Sequence, residues 1–228
     1  QISRIRMMFR WAVEEELIPA SVHHALQAVA GLKRGRTQAR ESKPVRPVPN
    51  AHISAIQPHV SRQVWALVQL QLFTAARSSE LGVLRAIDLD TTGKIWLYTP
   101  TDHKTAHHGR KRTIYFGPRA QEVIRPFLAQ RAIDAFLFSP REAEQERHTS
   151  SPSHRRANQK PNVCKTIRAI GDHYTAATYR RAIERRCRTA DVPVWSPHRL
   201  RHTAGTYVRK EFGLEAAQLI LGHARADV

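Results

Sequence analysis

The stretch that most limits the possible folds lies near the C-terminal end: Ser196-Pro-His-Arg-Leu-Arg-His-Thr-Ala-Gly-Thr206, followed at a short interval by Leu221-Gly-His-Ala224. Ser196 and Pro197 read as the N-cap and first residue of a helix, which puts His198 and Arg201, three apart, on one face. A guanidinium is always charged and grips two phosphate oxygens in a fork, while an imidazole moves protons near neutral pH, so the pair suits a phosphodiester. His223 follows Gly222 just past an apolar helix end (Ala216, Ala217, Leu219, Ile220), where a turn can aim it back at the first two. The same residues also fit ordinary helix positions, or a degenerate zinc pair of His198 and His202. Zinc is disfavoured, because no Glu follows the first His and no third ligand stands at a suitable spacing.

Charge narrows the partner. Lys and Arg number 37 against 19 Asp and Glu, a formal charge of +18 and a sequence pI of about 11.1, which predicts a polyanion. A membrane surface would attract the same charge, but the basic residues are spread through the chain, and no apolar run of about 18 residues occurs. Nucleic acid fits better. Cys164 and Cys187 form neither a disulfide framework nor a zinc ribbon, and a reducing cytosol is expected. No signal peptide is visible. Helical periodicity is already running at the first residue, so the chain reads as a fragment.

Taken in order, Ile2, Ile5, Phe9, Ala12, Val13 and Leu17 keep helical spacing as far as Pro19, and Ser21 reads as the cap of a second helix closed by Gly31. Residues 33–50 hold six basic residues, one acid and three prolines, and read as a linker. It is equally a basic strap along DNA, through Lys33, Arg34 and Arg36, or a solvated connection. Asn50 and Ser61 open further helices, the second ending at Thr74-Ala-Ala-Arg77-Ser-Ser-Glu80-Leu81. A new helical stretch is then expected through Leu81, Leu84 and Ile87. Glu80, one turn beyond Arg77, is placed to steady it or to form a plain surface ion pair.

Residues 95–99 and 112–116 are β-branched and aromatic and read as the strands of a hairpin whose basic tip carries Lys104, held or free. Gly93-Lys94 is not a phosphate loop, so no nucleotide is implied. A helix is expected over Pro118 to Gln130, a short strand over Phe136 to Phe138, and a surface loop over 139–162. Thr175 to Ala190 gives a two-faced helix: Tyr179, Ala182, Ile183, Cys187 and Ala190 on one side, and Arg181, Arg185 and Arg188 on the other, with Arg180 beside them. The basic side fits insertion into a DNA groove or a solvated face.

These pieces resemble the tyrosine recombinase (phage integrase) family: Thr74-Ala-Ala-Arg77-Ser-Ser-Glu80-Leu, Lys104 in a hairpin, His198-x-x-Arg201-His-Thr-x-Gly-Thr and Leu221-Gly-His223 stand in the family's order. The resemblance implies an α+β, mainly α, helical catalytic domain with a small antiparallel sheet over residues 50–228. Before it would lie a basic linker over 33–49 and the C-terminal remnant of a helical core-binding domain over 1–32. It implies a site-specific recombinase or integrase of the kind carried by mobile elements, which cuts and rejoins DNA through a 3′-phosphotyrosyl intermediate with no metal or other cofactor. Arg77 and Arg201 would hold the scissile phosphate and His223 would donate to it. Lys104 would be the general acid, His198 would assist proton transfer and Glu80 would orient its neighbours. The implied partners are double-stranded DNA and further copies in a synaptic tetramer, in the cytoplasm and on the nucleoid. An inactive DNA-binding relative and a type IB topoisomerase-like enzyme are the alternatives.

One departure stands out. The family's nucleophilic tyrosine is expected roughly nine residues beyond His223, and the sequence ends at Val228. Tyr98, Tyr115, Tyr174, Tyr179 and Tyr207 all lie elsewhere, so truncation at both ends is expected, with strand cleavage by this polypeptide alone failing.

Overall fold

The computed structural model describes residues 2–33, 35–36, 38, 40–41, 44–100, 112–129, 131–150 and 170–222. The chain forms two compact units, Gln1–Pro44 and Val45–Val228. The first holds α1 (Ile2–Glu14) and α2 (Ala20–Ala28). α1 stops short of Leu17 because Glu16 takes a left-handed conformation (φ 57°), which lets the Leu17 N–H reach back to Ala12 O at 2.8 Å. Pro19 caps α2, so Ser21 lies inside that helix instead of opening it. Arg6 of α1 donates to Leu26 O (3.0 Å) and Gln27 O (3.1 Å), joining the Val29 N–H in covering carbonyls at the end of α2. Among the described residues of these helices none is buried.

The second unit is mainly helical with one small sheet. α3 (Asn50–Ile56), α4 (Arg62–Thr74) and α5 (Ser78–Gly82) precede β1 (Leu89–Asp90), β2 (Trp96–Tyr98) and β3 (Ile114–Phe116). Then come α6 (Pro118–Leu128), α7 (Pro140–Ser150), α8 (Ala176–Thr189) and α9 (His198–Leu221). The strands are antiparallel in the order β1-β2-β3, with Tyr98 opposite Ile114. Ser61 caps α4 as its sequence suggests, its hydroxyl accepting from Val64 N at 3.3 Å. α4 is the centre of the unit: Val64, Ala66, Leu67, Val68 and Leu70 are all buried, facing α9 and α6 among others. A helix apolar on several sides can only be a core helix, and truncating Leu67 or Leu70 to Ala would cost about 2–5 kcal/mol.

α9 is two helical halves joined at Gly213, whose φ of 88° and ψ of 178° break the spiral. The halves fold together where Gly205 meets Leu221: a β-carbon on Gly205 would lie 3.0 Å from Leu221 Cδ1. One residue with freedom at positive φ and one without a side chain thus bring the end of α9 back beside Arg201.

Several sequence expectations change. Phe136 to Phe138 is not a strand but a single bridge, Arg85 to Phe136, with Leu137 N donating to Leu84 O at 2.8 Å. Of the loop expected over 139–162, Pro140–Ser150 is instead α7, and 151–162 lie outside the described residues; the helix's polar surface is an exposed face carrying ion pairs such as Arg131–Glu142 (2.6 Å). The helix expected through Leu84 and Ile87 ends at Gly82 and continues only as a 3-10 turn over Ala86–Asp88. There Gly82 presses on the backbone of Tyr174, leaving no room for a β-carbon. No side-chain cap comes from Ser196; its carbonyl accepts from Arg199 N at 2.9 Å. The linker's last residues are fixed to α9: Arg199 donates to Arg46 O (2.8 Å) and Pro47 O (3.1 Å), and Val48, 2 % exposed, donates its N–H to Thr203 Oγ1 at 2.9 Å.

Candidate active site

The site starts from the corner after α4. Ala75 ends the helix in a left-handed conformation (φ 52°, ψ 22°), which costs an alanine about 1 kcal/mol and must be held by its surroundings. It is: Ala75 N donates to Gln71 O (2.9 Å), Ala76 N to Thr74 Oγ1 (3.2 Å), and Gln71 Nε2 to Ala76 O (3.2 Å). Arg77 follows as the N-cap of α5, and Glu80 reaches back to it. One carboxylate oxygen accepts the Arg77 N–H at 2.7 Å and the other the guanidinium at 2.6 Å. Glu80 is 1 % exposed, so this is no surface ion pair.

Arg201, from the first half of α9, closes the corner. Its guanidinium, 5 % exposed, donates to Ala75 O at the end of α4 and to Leu221 O at the end of α9. A third guanidinium comes from Arg112, just before β3. It lies 3.7 Å from Glu80 Oε1, too far for a hydrogen bond, and donates to Ile220 O at 3.0 Å. Tyr98 on β2 completes the frame, its hydroxyl donating to Glu80 O at 2.7 Å, and burial pushes its phenol well above the usual range.

Among the described residues, the cluster sets Arg77, Arg112 and Arg201 against Glu80, three cations and one anion. The imbalance shows in the titration of Arg201: burial first, then repulsion from Arg77 and Arg112, lowers its pKa to about 10, with Glu80 opposing. Arg112 is lowered too, mainly by burial, with Arg77 adding and Glu80 opposing. Both stay charged at neutral pH. A buried excess of positive charge has one ready remedy, a bound anion, and the fork geometry of guanidinium favours the oxygens of a phosphate or carboxylate.

The fold therefore brings Arg77, Glu80 and Arg201 together. His198 lies exposed on the first turn of α9, its ring edge-on to His202 with centroids 4.9 Å apart. Lys104, Arg34 and His223 lie outside the described residues. Lys33 and Arg36 are exposed in the first unit. On α8, Tyr179, Ile183 and Cys187 are buried, while Arg181, Arg185 and Arg188 are exposed. Arg180 is tied to Glu184 at 2.6 Å, which offsets part of the basic face. Arg112 escaped the sequence reading. Its signal was the two-residue alternation Arg112, Ile114, Phe116, whose last two members are 1 % and 0 % exposed, so the arginine had to point inward as well.

The sequence model of the phage integrase family matches residues 50–228. No curated protein matches the chain. Among solved structures, a lambda integrase dimer bound to a core site is similar at a TM-score of 0.63 and 16% identity, over 99% of this chain and 71% of that one. The Tn1549 transposon integrase with circular intermediate DNA is similar at 0.59 and 17% identity, over 98% and 78%. The XerA recombinase is similar at 0.55 and 16% identity, over 99% and 74%. These likenesses concern the fold.

Proposed function

The chain belongs to the phage integrase family, and from that premise we propose that it serves site-specific DNA recombination, with the arginine cluster as its phosphodiester site. The observation that carries this reading is the crowding of Arg77, Arg112 and Arg201 around a single carboxylate, Glu80. A phosphodiester brings one negative charge, and its transition state spreads that charge over the non-bridging oxygens, where placed guanidiniums stabilise it by about a hundredfold or more each.

In cleavage, a tyrosine phenol oxygen attacks phosphorus, the bond to the 5′ oxygen breaks, and that oxygen takes a proton. Arg77 and Arg201 hold the non-bridging oxygens and His223 donates to the same phosphate, Lys104 supplies the proton with His198 assisting its transfer, and Glu80 keeps Arg77 in place. The bond energy stays in the phosphotyrosyl ester, so rejoining runs by the reverse exchange. None of the chain's own tyrosines stands where the family's nucleophile is expected, beyond His223: Tyr98, Tyr174 and Tyr179 are buried, and Tyr115 and Tyr207 are exposed on β3 and α9. Cleavage by residues 1–228 therefore needs a tyrosine from elsewhere. Residues 50–228 form the catalytic domain, 1–32 the end of a core-binding domain and 33–49 the linker. Lys33, Arg34, Arg36, Arg180, Arg181, Arg185 and Arg188 contact the backbone or groove of duplex DNA, and four copies synapse on it. Among the described residues no helix is long and apolar enough to cross a membrane.

The rejoining half-reaction tests the site without a tyrosine. A nicked duplex is selected for binding from a random pool and carries a 3′-p-nitrophenyl phosphate opposite a 5′-hydroxyl. The hydroxyl attacks phosphorus, and p-nitrophenolate leaves in place of the tyrosine phenolate. The 228-residue chain is expected to seal the nick and release the phenolate, with Arg201→Ala slowed about a hundredfold or more. Binding without release would leave a DNA-binding protein and remove the enzymatic reading.

A further inference from the structure

Two arginines close the C-terminal turn of α9. The last carbonyls of a helix have no partner within it, and the helix dipole makes that end negative. Here Ile220 O is taken by Arg112 and Leu221 O by Arg201. Gly222 then leaves the helix in a left-handed turn (φ 61°, ψ 40°). It is packed on Arg112 so closely that a β-carbon would stand 2.5 Å from Nη1 and 3.2 Å from Cζ. The chain passes from this turn directly into His223.

Arg112 is itself fixed from both sides. Two residues later Ile114, 1 % exposed, is locked opposite Tyr98 in the sheet, and Tyr98 bonds Glu80 O. At 7 % exposure, Arg112 is committed to the α9 turn through Nη2 on Ile220 O, and its Nε faces Glu80. Its geometry suits holding other groups.

We infer that Arg112 is a positioning residue for the phosphate site: it clamps the Ile220–Gly222 turn, which leads in sequence into His223. The inference rests on reading the cluster as a phosphate site, and it assigns a site function to a residue before β3 whose charge would otherwise count as buried ballast. Lysine cannot replace it, because one ammonium cannot reach Ile220 O and face Glu80 with the same fork.

The test uses the full 228-residue chain with Arg112→Met and Arg112→Lys. On the nitrophenyl-nicked duplex, both are expected to keep DNA affinity within about threefold, since phosphate contacts elsewhere dominate binding. Their rate of phenolate release should fall by about a hundredfold, the scale of an ångström's misplacement. Because Arg112 works through the His223 turn, Arg112→Met combined with His223→Ala should be little slower than His223→Ala alone. Losses that multiply in the double variant, or fall on affinity in place of rate, would overturn the assignment.

A second readout needs no activity. Amide hydrogen exchange at Gly222 should accelerate in Arg112→Met, while that of Phe116 in β3 stays slow. Unchanged exchange at Gly222 overturns the clamp. A wild-type chain that releases no phenolate overturns the phosphate reading instead, and the exchange at Gly222 still decides whether Arg112 holds the turn.

Discussion

Glu80 is the residue on which the cluster's balance turns. It is buried, accepts both the backbone and the guanidinium of Arg77, and faces Arg112. Removing one partner of a buried ion pair leaves the other charge uncompensated, which is far costlier than losing a surface pair. Glu80→Gln keeps the shape but leaves three guanidiniums with no anion. We expect it to lower unfolding stability by about 3 kcal/mol, measured by urea denaturation, and added sulfate to restore part of the loss. Unaltered stability would mean that Glu80 does not balance the three arginines. Arg77, Glu80 and Arg201 were legible as single residues, because each stands in a short motif with its own chemistry. Arg112 was not, because its meaning comes from contacts with Ile220 and Gly222, more than a hundred positions away in sequence.

At the scale of elements, α8 offers the sharpest separation between charge that binds and charge that is spent. Arg180 is engaged by Glu184, whereas Arg181, Arg185 and Arg188 are exposed and make no ion pair among the described residues. Replacing Arg181 or Arg185 with Ala should reduce the slope of log affinity for duplex DNA against log salt by about one. Replacing Arg180 should change it less. Equal slopes for all the variants would place this helix away from the DNA. The two-faced pattern of α8 and the Ser61 cap of α4 were readable because they are local. α7 was missed because its first face is polar and its partners, Arg62 and Arg131, come from α4 and the chain after α6. The strand expected at Phe136 to Phe138 has the right apolar residues but only one bridging partner, at Arg85. β-propensity without a neighbouring strand does not make a ladder.

Across the whole molecule, the site is a product of long-range closure. α4 ends at a strained alanine, α9 bends at Gly213 and returns against Gly205, and Arg201 joins the two ends through Ala75 O and Leu221 O. The sequence carried the family's motifs in order, but not that one arginine ties the end of α4 to the end of α9. The first unit shows the limit from the other side. Its helices are plain in the periodicity, yet Met7, Met8 and Trp11 remain more than half exposed, so the pattern that predicts a helix does not reveal what covers it.

The central claim is that the excess charge at Arg201 exists to meet the charge of one phosphodiester. It is tested most directly by comparing wild type and Arg201→Ala on the nitrophenyl-nicked duplex, with the reacting phosphate either unmodified or replaced by an uncharged methylphosphonate. The variant should lag by about a hundredfold on the phosphate and by no more than about tenfold on the methylphosphonate, where there is no charge left to neutralise. An equal lag on both substrates would contradict the claim and leave Arg201 as the strut between Ala75 and Leu221 alone.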